Sequence, residues 1–437
     1  MTVRTGALLL FAALPAVTSV DAQQAELVAR STLPAATYRA GSPPCGAFFS
    51  KADRETAKGN GVGVLDAQPV QGFSSMIPAS GATWWALADN GFAWRANSAD
   101  FQLVFFRVDP RFGDPAGPSV LESVLLRDPD RRVPWAILCD PDGAAALPEK
   151  PLACGEDPAV RILTGFDFDP ESFVRAPDGT FWVSEEFGPF LLHLAADGRL
   201  LDPPVPFPGV RSPQNPLLKA GERPNLAESR GPEGLAIDPG GTKLYALLEG
   251  AVAGDDPRDL RIYVFDLNRR VFDPAFLKVR LEMPGRTPDA PGPVSIGELK
   301  AVNEHQFLMI ERDNHGDDRT APRFKKVFLL DTSMAARDGR VGKTLLLDLL
   351  AIPDPSGVGG DGDFFRLPFY TIESVHVVDA RTLLIASDNN FPFSNGRSRS
   401  RSADRTGPLA ADGTEMILVR LGTPLAVDRR MLPPGRP

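Results

Sequence analysis

Gly165–Asp197 reads GFDFDPESFVRAPDGTFWVSEEFGPFLLHLAAD, and it decides the fold. Ser172 to Arg175 alternate like a short strand. Pro177-Asp178-Gly179 is a turn signal, because Pro presets φ and Gly tolerates φ > 0. Phe181, Trp182 and Val183 begin a return strand of aromatic and β-branched type. In an antiparallel pair the start of the first strand lies beside the end of the second. Glu171 is therefore expected close to Glu185 and Glu186.

The construction recurs along the chain. In 231–250 Glu233 opens a strand, Asp238-Pro239-Gly240-Gly241 turns it, and Glu249 closes the return. In 296–314 Glu298 opens and Glu311 and Asp313 close. In 372–390 Glu373 opens and Asp388 closes. In 72–91 Gly72 and Ser74 stand where the opening acid would be, and Asp89 closes. Opening and closing acids lie 13 to 16 residues apart in the four full copies. Copies begin near 72, 171, 233, 298 and 373, a spacing that fits four-stranded propeller blades with generous loops. The fold expected is all-β, a β-propeller of five or six four-stranded blades around a central channel. The long first interval leaves room for a degenerate sixth blade. Glu26–Ser31 is placed as the outer strand that closes the ring and protects an edge.

Composition agrees. Forty-three prolines and 40 glycines punctuate many short strands, and 43% hydrophobic residues suffice for a core. Residues 1–22 read as a signal peptide: Arg4, an apolar run Gly6 to Val17, then Val20-Asp21-Ala22 as a cleavage site. That run is shorter than the ~20 residues a membrane anchor needs. The remainder, 23–437, is one domain, periplasmic or secreted, with no further membrane segment, and is expected to be a monomer. Net charge is −9, and losing Arg4 and Asp21 leaves it unchanged. Such acidity argues against broad nucleic-acid binding. Of three cysteines, Cys139 and Cys154 flank one loop and can close it, and any pairing leaves one thiol over. The scattered histidines and cysteines exclude a zinc site of ordinary spacing. His193 and His376 sit in apolar strands and read as core, as does the pair Trp84-Trp85. Ser50–Gly63 and the Arg/Ser run Arg397–Ser402 read as solvated loops.

In a propeller the first strand of every blade lines the channel, so Glu171, Glu233, Glu298 and Glu373 should meet at one mouth. Glu185, Glu249, Glu311 and Asp388 should join them. Two carboxylates about 5 Å apart repel by roughly 3 kcal/mol at an effective dielectric near 20. Protons, basic side chains or metal ions must offset a ring of eight. Hard oxygen ligands without Cys or His select calcium, with magnesium as the alternative. Asp313 and Asn389 complete the expected metal set. Against this stands the plainer reading that acids at strand ends cap turns or pair with Arg230, Lys300 or Arg312.

The segments DFDPESFVRAPDGTFWVSEEFGP (167–189), RGPEGLAIDPGGTKLYALLEG (230–250), LMIERDN (308–314) and LIASDNNF (384–391) resemble the phytase-like family of exported proteins, also described as having esterase-like activity of phytase. The resemblance implies a propeller related to calcium-dependent phytases, which hydrolyse phosphate monoesters of inositol polyphosphates. It implies metal and channel roles for the acidic corners. Arg230 and Arg312 become phosphate-facing candidates, since guanidinium matches phosphate oxygens in a bidentate way. A lysine-rich mouth is lacking, which sets this chain apart from the phytases proper. The function expected is a calcium-dependent ester hydrolase acting on a small-molecule ester, with Glu185, Glu311, Arg312 and Arg230 catalytic. The alternative is a non-catalytic, calcium-stabilised binding propeller of the cell envelope. Quinone-dependent dehydrogenase chemistry is a weaker third.

Overall fold

A computed structural model describes residues 25–143, 147, 151–283, 294–316, 323–401 and 408–435. Residues 1–22, expected to be a signal peptide, and the Pro/Gly linker 284–293 lie outside the described residues.

Five antiparallel sheets of propeller type form the described chain. Blade 1 comprises Phe73–Pro78, Trp84–Ala88, Val104–Asp109 and Ser119–Leu125, paired in that order. Blade 2 comprises Pro170–Arg175, Phe181–Glu185, Phe190–Leu194 and Val205–Pro206. Blade 3 comprises Pro232–Ile237, Lys243–Leu248, Asp259–Asp266 and Val271–Phe272, with Leu277–Arg280 also pairing its third strand. Blade 4 comprises Val294–Ala301, Gln306–Asp313, Lys325–Asp331 and Gly342–Asp348. Blade 5 comprises Ser374–Val377, Thr382–Ala386, Thr414–Leu421 and, as its outer strand, the N-terminal Ala25–Leu33. That last pairing, Ala25 against Leu421 through Leu33 against Thr414, closes the ring. The count is five. An excursion after blade 1 fills the long first interval, stapled by a Cys139–Cys154 disulfide and by buried Arg161, which bonds Asp128 and Asp140. Cys45 is the thiol left over, and it is buried.

The hairpin turns behave as their residues dictate. Gly179 takes φ 86°, and Asp178 Oδ1 accepts from Thr180 N at 3.0 Å. First strands of neighbouring blades touch around the whole ring, from blade 1 through blade 5 and back. Apolar faces pack between blades. Phe105 of blade 1 meets Phe181 of blade 2 at 5.0 Å and Phe173 of blade 2 at 6.3 Å. Trp84 is buried against His376, and His193 stacks on Trp182 at 4.3 Å, so these residues are core.

Two polar stretches differ from expectation. Lys51–Gly59 is a helix, because Ser50 caps it by accepting from Asp53 N at 3.1 Å. Gly396–Arg401 is a short helix, and Arg397 is buried, with both Glu415 oxygens at 2.7 Å and Asp361 at 2.8 Å. Paired acids from distant segments turn what reads as a solvated charge run into a buried contact.

Candidate active site

The inner hairpins of blades 1 to 4 are irregular at the channel mouth. In blade 2 Pro170 pairs Glu185 but Ser172 pairs Ser184, so Glu171 is an extra, bulged residue. The same slip isolates Ser74 in blade 1, Glu233 in blade 3 and Gly297 in blade 4. A bulge bends the strand and re-aims the bulged side chain. Here it turns Glu171 and Glu233 toward the mouth, and Glu373, just before the blade 5 strand, joins them.

Gly297 at the corresponding place explains why blade 4 differs. A Cβ there would lie 2.1 Å from Ile372 O, so no side chain fits. The acid falls one residue later. Glu298 consequently faces down the channel, where it accepts from Ser75 and Ser172 hydroxyls at 2.7 Å each and pairs with Lys300 at 3.0 Å. Lys300 also donates to Ser172 Oγ, Phe173 O and Leu235 O. Burial pushes the Glu298 carboxyl up, against the pull of Lys300, and pushes the Lys300 ammonium down. This buried pair plugs the channel below the mouth.

A parallel shift affects the return strands. Glu185 and Glu186 are neighbours and point to opposite sides, as strand pleating requires. Glu186 lines the mouth, whereas Glu185 turns into the protein and accepts from Phe187 N at 3.0 Å and Gly188 N at 2.8 Å. Burial pushes the Glu185 carboxyl up to about 8. Glu311 likewise points away, accepting from Glu282 N at 2.7 Å and pairing with Lys343. Its neighbour Arg312 takes the mouth position. Asp313 is held by Lys325 at 2.8 Å and by the backbone N–H of Phe324 and His315. Asn389 links Gly72 N to Asp412 O. Glu185, Glu298, Glu311, Asp313 and Asn389 are thus placed outside the mouth cavity, each occupied by backbone or basic partners.

The residues that do meet enclose a cavity of about 220 Å³. Glu171, Glu233, Glu249, Glu373, Asp388, Arg230 and Arg312 all line it, with Asp89, Asp169, Glu186 and Glu228. Nine carboxyl groups therefore face two guanidiniums, and seven of the nine are buried: Asp169, Glu171, Glu186, Glu233, Glu249, Glu373 and Asp388. Arg312 Nη2 lies 2.6 Å from Glu373, 3.1 Å from Glu233 and 3.4 Å from Glu249. Arg230 pairs with Glu249. These contacts leave much of the charge uncompensated. Burial, then Glu233, Asp169 and the other neighbouring acids, raise the Glu171 carboxyl well above its usual range. Burial followed by Glu249 does the same for Glu186 and Glu233. Asp169 is pushed up by burial to about 7.

Three trios bring carboxylate oxygens within 4.8 Å of one another: Asp169–Glu171–Glu186, Glu171–Glu233–Glu373 and Glu186–Glu233–Glu249. Glu186 Oε1 is buried without a hydrogen-bond partner, as are Nε of Arg230 and Arg312. Buried polar atoms are rarely left so, and Glu186 is one of the residues that line the cavity. All donors are hard oxygens, the set that suits calcium or magnesium. Three of the non-glycine residues with positive φ, Ala93 (62°), Ser229 (49°) and Asn390 (42°), also line this cavity. Such strain collects at functional sites.

Asp169 and Asn90 escape the hairpin pattern because they lie outside the strands. Asp169 Oδ2 accepts from Asn90 Nδ2 at 2.9 Å, bridging blades 1 and 2. Asp89 and Glu186 were legible, the first as a closing acid and the second beside Glu185. Pleat alternation was the signal that could have separated Glu186 from Glu185.

The family model for phytase-like proteins, described as esterase-like activity of phytase, matches residues 68–391. The chain belongs to the phytase-like family. That match spans all five inner hairpins and every residue lining the mouth cavity. An uncharacterized secreted protein of Arthroderma benhamiae is 25% identical over 234 residues, 42% of this chain and 45% of that protein. This phytase-like chain thus matches less than half of that relative's length. Among solved structures, a luciferin-regenerating enzyme is 13% identical with a TM-score of 0.36, over 83% of this chain and 97% of that one. The calcium-binding protein regucalcin of Agrobacterium tumefaciens is 12% identical with a TM-score of 0.34, over 92% and 98%. At these scores the likenesses add nothing to what the sheet order already establishes. No helix among the described residues is long and apolar enough to cross a membrane.

Proposed function

We propose that this phytase-like propeller is an exported hydrolase of phosphate monoesters, working at its acidic mouth with divalent cations, calcium foremost. One observation carries the reading: a buried carboxylate cluster far in excess of its two guanidiniums, in which Glu186, a residue of the cavity wall, has its Oε1 unpartnered. Asp169, Glu171, Glu186, Glu233, Glu249 and Glu373 are the residues that would hold cations. Bound calcium would supply the positive charge that attracts phosphoryl oxygens and acidifies a water. The secreted fungal relative and the N-terminal leader pattern support export.

The chain's own groups have distinct tasks in this scheme. Arg312 is held rigid by Glu233, Glu249 and Glu373, so its unused Nε–H is preoriented toward a phosphoryl oxygen. Arg230, fixed on Glu249, offers a second such N–H. Glu186 Oε1 is the open carboxylate oxygen that can take a proton from an attacking water. Glu185 and Glu311, facing away, hold backbone and Lys343 in place instead.

The test is a panel of phosphate monoesters, carboxyl esters and lactones, run in calcium and again after chelation. Phosphate-monoester turnover that disappears with chelator and returns with calcium is expected. Equal turnover in both conditions removes the metal scheme. Calcium that raises the melting temperature with no ester hydrolysed favours the non-catalytic binding propeller.

A further inference from the structure

The mouth cavity does not end at the carboxylates. A second space of about 430 Å³ opens beside it and shares Trp94, Arg230, Arg312 and Thr371 with it. Its far wall is aromatic: Tyr370 and Phe393 face it, and Trp94 stands between the two spaces. Trp94 is 58% exposed and Tyr370 40%; Tyr38 and Phe364 are the other aromatic residues so exposed among the described residues, and neither of them lines this space. The backbone holding Trp94 is firmly anchored, since its carbonyl accepts from Asn97 N at 2.9 Å and Ser98 N at 3.1 Å. Ala93 before it sits at φ 62°, a strained position for a residue with a Cβ. Phe393 is braced by Phe49 at 5.4 Å.

The charges in this second space are already committed. Asp53 accepts from Ser50 Oγ at 2.5 Å and from Asn97 Nδ2 at 3.0 Å. Arg312 bonds Asn314 and three carboxylates, and Arg230 bonds Glu249 and Ser229 O. Arg312 and Arg230 are the same guanidiniums that serve the mouth, so this space adds no cationic side chain of its own among its lining residues for a second phosphate. An uncharged ring would find aromatic faces to pack on.

We propose that Trp94 and Tyr370 form a ring-binding subsite beside the cation cluster, which takes the uncharged ring of the alcohol portion of the ester. The role of that ring as a leaving group rests on the hydrolase reading. The subsite itself does not. The substrate class is then a phosphate monoester of a single ring-bearing alcohol, aryl or glycosyl, and not an inositol polyphosphate.

Calorimetric titration of the full chain in calcium tests this without turnover. The ligands are benzylphosphonate, a glycosyl phosphonate and ethylphosphonate. At least one ring ligand should bind roughly tenfold tighter than ethylphosphonate, as a stacked aromatic contact provides. Which ring ligand gains distinguishes aryl from glycosyl. In Trp94→Ala the advantage should shrink to about twofold or less, and Trp94→Phe should keep most of it. Tyr370→Ala is the second variant and should weaken ring ligands alone. Ring ligands that bind no tighter than ethylphosphonate, or an advantage that survives Trp94→Ala, overturn the subsite. Ring-dependent binding with no hydrolysis of the phosphate monoester of the ring that gains, benzyl phosphate or the glycosyl phosphate, sinks the hydrolase reading and leaves the subsite standing.

Discussion

Replacing Lys300 by Met tests the geometry on which the site depends. Lys300 belongs to blade 4, yet its ammonium reaches Ser172 Oγ (2.8 Å) and Phe173 O (3.1 Å) of blade 2 and Leu235 O (2.9 Å) of blade 3. Its partner Glu298 reaches Ser75 of blade 1. Four blades therefore converge on one ion pair, 3% and 0% exposed. Met keeps most of the volume and removes the charge. Glu298 is left as a buried acid whose remaining partners are two hydroxyls and Leu299 N. Removing one member of a buried pair costs about 3–5 kcal/mol, because the survivor is uncompensated. The loss should depend on pH. Without Lys300 the Glu298 carboxyl, already raised by burial, rises further. An acid with a raised folded pKa contributes stability below its unfolded pKa near 4.3 and loses it as pH climbs through the folded value. Lys300→Met should therefore be most damaged at pH 8 and partly recover at pH 5, read by chemical denaturation at both. Lys300→Met with Glu298→Gln should regain much of the loss, since no unpaired charge remains. A single variant within about 1 kcal/mol of wild type at pH 8, well under the loss given above, would refute the convergence of blades on this pair.

Adjacent glutamates should part company. Glu186→Gln should leave stability in chelator nearly unchanged or improved, yet weaken calcium binding at least tenfold by calorimetry, since its Oε1 has no protein partner. Glu185→Gln should do the reverse and cost about 1–3 kcal/mol in denaturation, because an amide serves the N–H groups of Phe187 and Gly188 less well. The mouth cluster also predicts a pH signature for the metal-free protein. Burial raises Asp169 to about 7, and Glu171, Glu186 and Glu233 rise well above their usual range. Stability should fall from about pH 5 to pH 8 as these groups ionise against one another, and calcium should abolish the fall. A flat melting profile over that window without metal would contradict the picture.

The inner hairpins, their turns and the all-β architecture are local matters, and the sequence by itself determined them; the N-terminal strand was legible as a strand, but its pairing with Thr414–Leu421 is a contact between chain ends. Alternation, Pro/Gly punctuation and the repeated acidic corner act over ten to twenty residues, where chain geometry alone fixes the outcome. It also marked Glu171, Glu233, Glu249, Glu373 and Asp388 as residues of a shared mouth. The tertiary structure alone decided which acid of each corner faces inward. A one-residue slip sends a strand side chain to the opposite face, and each slip here is set by a bulge against the next blade. Gly297, pressed on Ile372 O of blade 5, diverts Glu298 down the channel to Lys300. The same pleat turns Glu185 and Glu311 away and brings Glu186 and Arg312 in. The count of five blades, the burial of Arg397 among Glu415 and Asp361, and the aromatic wall at Trp94 and Tyr370 depend on contacts between segments far apart in the chain.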